Sequence, residues 1–402
     1  MPKLLQINVT ANWGSTGKIA EQIGRTVIKH GWKSYIAYGR WSNLSLSNLI
    51  KVGGKWDMYM HYGEQRIRDN EGLCSRSATK KLIRQIEEIM PDVVQLHNIH
   101  DHFLNYRLLF EYLNQTDIKV VWTFHDCWAF TGHCYHFIQQ GCRKWQTECG
   151  DCPQSNNLFD RSRKNFNLKR SLFAENKTLT IIPCSEWMGI FVRQSFLKSK
   201  RIQVIHNGID LNIFKVIPEL KKTNGKFHIL AVSNVWLADK GYYDIFKLRK
   251  MLPEEYEITM VGLKKEQLNE LPIGIRGIPR TQNVQQLVGL YNEADVFINP
   301  TYADTFPTVN LEALACGTPV ITYRTGGSPE AVDEKTGVVV EQGDVNALAN
   351  AIKGMKAIPL SSEDCRKRAE ERFDKDKCFE EYVELYEHLL HGSKKQKGKY
   401  ES

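Results

Sequence analysis

Apolar positions recur with two different periods along the chain, and the switches between them outline a succession of strands and helices. Residues 3–9 alternate as a strand does and give way to a small polar loop, Asn12-Trp13-Gly14-Ser15-Thr16-Gly17. A helical spacing follows from Lys18 to about Lys29, and Ser34–Arg40 reads as a second strand. Strand, glycine turn, helix and strand is the opening of a βαβ unit. Short apolar runs at Asp92–His97 and Lys119–Phe124 each end in polar residues, the second at His125-Asp126. Open α/β sheets place their ligand sites at such strand ends.

Polarity rises between Thr223 and Lys226, with Asn224-Gly225 as a breaker, and the pattern then restarts. Phe227–Val232, Tyr256–Gly262, Asp295–Pro300, Pro319–Thr322 and Gly337–Val340 read as strands, with helical spacing at Val284–Glu293 and Asn310–Ala315. Near-continuous apolar strands alternating with helices predict a second parallel sheet. The boundary between domains falls near residues 207–226. Residues 1–206 form one Rossmann-like domain and 207–373 the other. A long terminal helix is predicted over 374–391, packing back near the first domain, because Phe379, Tyr382, Val383, Tyr386 and Leu390 keep helical spacing. The fold class predicted is α/β, two doubly wound domains facing a deep cleft, the usual place for a small-molecule site.

Length and composition narrow this. A chain of 402 residues supports two or three domains, and 42% hydrophobic with 25% charged residues excludes disorder as the main state. The net charge of +8 fits anionic small molecules, an anionic membrane surface or nucleic acid without choosing among them. No nucleic-acid motif is present, and the one basic stretch, Arg161 to Lys177, is short; no nucleic-acid partner is expected. The lysine-rich end, within 392–402, is expected to be a disordered basic tail. Asn8 and Asn12 interrupt the amino-terminal apolar run, unlike a secretory signal. No stretch reaches the roughly 18 apolar residues of a spanning helix. The expectation is a cytoplasmic protein whose ten cysteines are reduced.

The densest chemistry lies at Asn299–Val320. A loop carries Asp304, a helix begins near Pro307 or Thr308, and Glu312 lies about a turn inside it. A helix start offers free N–H groups and a positive dipole end to a diphosphate. One carboxylate could accept from sugar hydroxyls and the other from ribose hydroxyls; equally, Asp304 could cap a loop and Glu312 face solvent.

This segment resembles the acidic pair, seven residues apart, of retaining GT-B glycosyltransferases of family four (glycosyl transferases group 1). Asp304 stands where the first Glu is usual, Glu312 matches the second, and Ala313, Ala315, Gly317, Pro319 and Val320 fit the rest. Val204–Phe214 resembles the family's linker, Leu290–Phe297 its approach to the donor site, and Arg324–Glu330 its glycine loop. The resemblance implies that Glu312 binds the donor ribose and Asp304 the transferred sugar. Lys240 then binds the diphosphate, with Phe306, Thr308 and Val309 at the same donor site. It implies that Gly14 and Gly17 lie under the donor diphosphate and that His125 contacts the transferred sugar. Thr16, His97 and His100 are candidates for the acceptor side. The sequence departs from the family at Val235, where an Arg is usual, and at Thr305 and Pro307, where small residues are usual. A catalytically silent sugar-nucleotide-binding subunit is therefore the alternative to an enzyme. The donor expected is a UDP- or GDP-sugar, with an oligosaccharide or lipid-linked acceptor and peripheral contact with the inner membrane face. No catalytic metal is expected.

One segment crowds Cys127, Cys134, Cys142, Cys149 and Cys152 with His133 and His136. Thiolates from Cys134, Cys142, Cys149 and Cys152 could hold a structural zinc tetrahedrally and pin a long loop. Reduced, packed cysteines are the other reading. The pattern resembles a subset of bacterial surface-polysaccharide glycosyltransferases.

Overall fold

The computed structural model describes residues 1–155, 159–220 and 225–392. The chain divides into two compact units, one of Met1–Ile205 with the chain from Phe379 onward, the other of His206–Cys378. The basic tail from residue 393, and residues 221–224 of the expected boundary stretch, lie outside the described residues.

The first unit runs β1 (Lys3–Asn8), α1 (Gly14–Lys29), β2 (Lys33–Tyr38), β3 (Asn48–Lys51), α2 (Lys55–Arg68), α3 (Arg76–Ile89), β4 (Val93–Leu96), α4 (Tyr106–Leu113), β5 (Lys119–Phe124), α5 (Ser162–Glu175), β6 (Thr180–Pro183), α6 (Glu186–Gln194) and β7 (Arg201–Ile202). Its strands form one parallel sheet in the order β3-β2-β1-β4-β5-β6-β7. Both faces are covered, so the central strands are buried along nearly their whole length, including the polar Gln6 of β1 and Gln95 of β4. Leu5 and Ile7 of β1 enter one core with Val94, Leu96, Trp122 and Phe124. Leu4 enters the other with Val93, Val121 and the α1 residues Ile19, Ile23 and Val27.

The second unit begins with β8 (Phe227–Val232), α7 (Tyr242–Met251), β9 (Tyr256–Val261), α8 (Lys265–Leu268), β10 (Ile275–Ile278) and α9 (Val284–Glu293). It continues with β11 (Val296–Asn299), α10 (Thr308–Ala315), β12 (Val320–Tyr323), β13 (Gly337–Val340), α11 (Val345–Ala357) and α12 (Ser362–Arg372). The terminal helix α13 (Lys375–His391) starts here, and its later residues Phe379, Tyr382, Val383 and Tyr386 belong to the core of the first unit around Leu4. The sheet is again parallel, in the order β10-β9-β8-β11-β12-β13.

In each sheet the order reverses beside one strand. β1 lies between β2 and β4, and β8 lies between β9 and β11. Loops leaving the carboxyl ends of strands at such a point diverge to opposite faces and leave a crevice. Those loops are 9–13 and 97–105 in the first unit, and 233–241 and 300–307 in the second.

One helix start differs from the sequence pattern, and a second resolves the choice the sequence left between Pro307 and Thr308. Helix α1 starts at Gly14, not Lys18, because Gly14-Ser15-Thr16-Gly17 forms its first turn instead of a preceding loop. Helix α10 starts at Thr308, and Pro307 is the last extended residue, with φ −71° and ψ 114°. Among the described residues no helix is long and apolar enough to cross a membrane.

Candidate functional site

In the second unit, the loops at the β8/β11 switch bring Lys240 onto Asp304. The Lys240 ammonium donates to Asp304 Oδ2 at 3.0 Å and to the Ala303 carbonyl at 2.7 Å, with Thr301 Oγ1 at 3.5 Å. The pair is partly open to solvent, with Lys240 30% and Asp304 26% exposed. Lys240 lies beyond strand β8. It closes a single 3-10 turn, Ala238–Lys240, eight residues beyond the end of β8. The next residue explains how that turn sits against β11. Gly241 has φ +75°, and a Cβ there would lie 2.2 Å from the Pro300 carbonyl oxygen, so only glycine permits the approach. Tyr302 N donates to Asp239 O at 2.7 Å across the same junction.

Asp304 is held from its other side by the glycine loop. Gly326 has φ +56°, and a Cβ there would fall 1.6 Å from the Asp304 carbonyl oxygen. Gly327 N donates to Thr305 O at 3.0 Å. Helix α10 then starts with no side-chain cap and no acidic residue in its first turn, where Thr308 and Val309 are half-buried. Such a start leaves N–H groups that attract an anion. Pro307 contributes none. Phe306 is buried, its ring packed between His206 at 4.9 Å and Phe373 at 5.8 Å, so it fixes the loop from behind.

Glu312 lies four residues after Thr308 on α10 and accepts a hydrogen bond from Tyr291 Oη at 2.9 Å. Tyr291 is fully buried on α9. Burial, then the Glu312 charge, push its hydroxyl well above the usual range, so it stays a donor. Tyr291 was legible only as part of the approach to the donor site; its partnership with Glu312 was not. Val235, in the place of the family's usual Arg, is 45% exposed.

In the first unit, β1, β4 and β5 converge on a histidine constellation. Gln6 of β1 donates from Nε2 to Ala20 O at 2.7 Å, tying the strand to α1, and its Oε1 lies 3.0 Å from His97 Nε2. His97 follows β4 and is buried, with Nδ1 3.2 Å from His125 Nε2 and the two rings stacked at 5.5 Å. Burial lowers both rings, His97 well below the ordinary histidine value and His125 to about 4. Both are therefore neutral near pH 7, and one ring N–H donates to the other's lone pair.

His100 and Asp126 form the neighbouring pair, Nε2 to Oδ2 at 2.9 Å, and Asp126 Oδ1 also accepts from Trp128 N at 2.9 Å. Burial works against charge on His100, but the Asp126 carboxylate outweighs it and raises His100. Burial likewise opposes charge on Asp126, and His100 overcomes that to hold the carboxyl below its usual range. His97, His100, His125, Asp126 and Trp128 line one small cavity.

The glycine loop of the same unit sits at the end of β1. Gly17 is indispensable there, since a Cβ would meet Thr10 Oγ1 at 2.5 Å, whereas Gly14 carries the left-handed backbone at φ +66°. Thr16 Oγ1 accepts from Asn8 Nδ2 at 3.3 Å, and Asn8 Oδ1 accepts from Asn98 N at 3.2 Å, linking the loop to the residues after β4. Helix α1 also starts without a side-chain cap or an acid in its first turn.

Among its described residues, the cysteine segment between β5 and α5 is irregular apart from three single 3-10 turns. Cys134, Cys142, Cys149 and Cys152 line one small cavity there. The close group within it differs from the all-cysteine set expected: His133, Cys134 and Cys152 bring their ligand atoms within 4.8 Å of one another. The basic stretch Arg161–Lys177 follows, and one of its lysines points inward. Lys169 is buried on α5, donating to the carbonyls of Trp128 at 2.7 Å and Thr131 at 3.2 Å, and burial lowers it to about 7.

Residues 59–213 match the family described as Glycosyltransferase Family 4, and residues 226–356 match the family described as Glycosyl transferases group 1. WcaC of Escherichia coli (strain K12), named as a colanic acid biosynthesis glycosyl transferase, is 24% identical over 425 residues, covering 96% of this chain and all of the relative. Among solved structures, sucrose-phosphate synthase from Thermosynechococcus elongatus superposes with a TM-score of 0.73 at 17% identity, covering 97% of this chain and 99% of the other. HepE from Anabaena, in complex with UDP and glucose, does so with a TM-score of 0.65 at 15% identity, covering 96% and 99%.

Proposed function

We propose that this chain, which belongs to the GT-B glycosyltransferases built from Glycosyltransferase Family 4 and Glycosyl transferases group 1 domains, is a retaining, nucleotide-sugar-dependent hexosyltransferase. Its acceptor is a growing surface polysaccharide or a lipid-linked oligosaccharide. The observation that carries this reading is the Lys240–Asp304 contact beside the uncapped start of α10, at the switch point of a parallel sheet. That arrangement offers a cation and free N–H groups to a diphosphate, and a carboxylate to sugar hydroxyls. Glu312, oriented by Tyr291, is assigned to the ribose hydroxyls. The UDP and glucose bound by HepE and the naming of WcaC for colanic acid favour a UDP-sugar and a surface polysaccharide over other choices.

Chemistry follows from charge development. As the bond between the anomeric carbon and the diphosphate oxygen breaks, negative charge grows on the leaving phosphate, where Lys240 and the α10 dipole stabilise it. The acceptor oxygen forms the new bond on the same face, and its proton passes to the departing phosphate oxygen. Acceptor binding is assigned to the first unit, beside His125 and His100, with buried His97 held between Gln6 and His125 as a positioning residue. The protein is assigned to the cytoplasm, with peripheral contact at the inner membrane face; Lys169 takes no part in that contact.

A silent subunit is the second reading, favoured by Asp304 and Val235 in place of Glu and Arg. Incubation with UDP-, GDP-, ADP- and dTDP-sugars, following release of nucleoside diphosphate, separates the two. Turnover of one donor, with the product's anomeric configuration retained by NMR, supports the enzyme. Saturable binding with no turnover on any acceptor supports the silent subunit, and an inverted product overturns the retaining assignment.

A further inference from the structure

The irregular segment after β5 carries the chain from Cys127 to α5, and a loop this long needs a fastening of its own. Within it, His133 and Cys134 meet Cys152 at a set of metal-ligating atoms. Cys134 Sγ lies 3.8 Å from Cys152 Sγ. That is far beyond the roughly 2.05 Å of a disulfide. It equals the separation, about 3.8 Å, of two thiolates bound tetrahedrally to one zinc ion at about 2.3 Å each. His133 Nε2 lies 3.1 Å from Cys152 Sγ on the same side.

A second observation fixes how His133 presents itself. Its other ring nitrogen, Nδ1, lies 3.0 Å from Asp69 Oδ2, and the Asp69 side chain is only 2% exposed. The carboxylate accepts the Nδ1 proton and also accepts from Arg161 N at 2.9 Å. With Nδ1 turned to that carboxylate, it is Nε2 that faces the thiols and would ligate a metal on losing its proton. Carboxylate, histidine and metal in that order is how protein sites fix a ligating imidazole. Cys149 lines the same cavity as Cys134 and Cys152 and precedes Cys152 by three positions, the Cys-x-x-Cys spacing of zinc-binding turns. Asp151, between them, has φ +45°, a left-handed turn. The Cys149 sulfur lies outside the group of His133, Cys134 and Cys152 atoms within 4.8 Å of one another, so it reaches the ion by a side-chain movement from the cavity wall.

We propose that His133 Nε2, Cys134 Sγ, Cys149 Sγ and Cys152 Sγ hold a structural zinc ion that pins the β5–α5 segment, with Asp69 positioning His133. Binding exchanges three protons of the thiols and the imidazole, released to solvent, for three zinc–sulfur bonds, and no oxidant is required. All four ligand positions are protein side chains, so the site has no open position and acts on structure instead of on the reaction. The inference does not depend on the donor or acceptor assigned above.

The test is metal analysis of the full chain, purified without chelator and without added reductant, together with absorption spectra after cobalt exchange. The expectation is about one zinc per chain, and a cobalt form with thiolate charge-transfer and tetrahedral ligand-field bands. Cys134→Ser, Cys149→Ser, Cys152→Ser and His133→Ala should each lose the metal, and Cys142→Ser should keep it. Asp69→Asn, which removes no ligand, should weaken zinc binding by roughly 10- to 100-fold. A metal-free wild-type chain that takes up neither zinc nor cobalt overturns the proposal, and that result needs no variant to fold. Full zinc in Cys134→Ser and Cys152→Ser also overturns it, and loss of zinc in Cys142→Ser with retention in Cys149→Ser overturns the fourth ligand.

Discussion

Tyr291→Phe isolates one hydroxyl whose only described hydrogen-bond partner is Glu312 Oε2, at 2.9 Å. The ring stays, and with it the packing against Phe297 at 5.5 Å and Phe214 at 6.3 Å. A hydrogen bond to a charged group contributes about 1.5–3 kcal/mol when buried. Glu312 is half-buried, so water replaces part of that, and about 1 kcal/mol is the expected loss. The loss reaches ligand binding through orientation. Loosening Glu312 costs at most RT ln 3, about 0.7 kcal/mol, of preorganisation, the limit of three equally populated staggered rotamers. Affinity for the donor nucleotide should therefore fall about three- to ten-fold in Tyr291→Phe. Glu312→Ala, removing two charge-assisted bonds to the ribose, should lose about 3 kcal/mol, or over 100-fold. The double variant should bind no worse than Glu312→Ala, because Tyr291 acts only through that carboxylate. Calorimetric titration with the nucleoside diphosphate measures all three. An effect of Tyr291→Phe that simply adds to that of Glu312→Ala would refute the coupling.

Stability should fall on acidification because His125 is held neutral. Its folded value of about 4 lies below the ordinary 6.5. Between those values the unfolded chain takes up a proton that the folded chain refuses, so its contribution is complete above pH 6.5 and is lost as pH falls toward 4. The loss reaches about 3 kcal/mol for this group. His97 acts in the same direction, whereas the raised His100 contributes fully at low pH and loses its contribution as pH rises. Thermal unfolding at pH 7.5 and 4.5 should show the decline, and His125→Asn should flatten it; an unchanged slope would count against a neutral buried pair. Gly326→Ala should cost a few kcal/mol or displace the Asp304 loop, since its Cβ would overlap the Asp304 carbonyl at 1.6 Å on a left-handed backbone. A variant as stable and active as the parent would show that the loop gives way freely.

Much of this was legible before any coordinates. Apolar periodicity places most strands and the helices Val284–Glu293 and 375–391, because parallel strands buried on both faces leave an unmistakable apolar run. The Asp304–Glu312 segment was legible because a strand, a turn and a helix start are all local. What escaped were partners joined only by topology. Tyr291 is 21 residues from Glu312, and Gln6 is 91 from His97. Asp69 is 64 residues from His133, so their contact could not be read from the cysteine spacing. Lys169 was not singled out by the sequence either, yet its ammonium sits over the Trp128 ring at 3.5 Å inside the unit.

The central claim is that the Lys240–Asp304–Glu312 site holds a nucleotide-sugar. Binding of UDP- and GDP-sugars to the parent chain, to Lys240→Ala and to Glu312→Ala tests it most directly. One donor should bind the parent selectively, with affinity falling at least ten-fold in each variant while both keep the parent's unfolding profile. Binding that survives both substitutions would place the donor elsewhere and contradict the account.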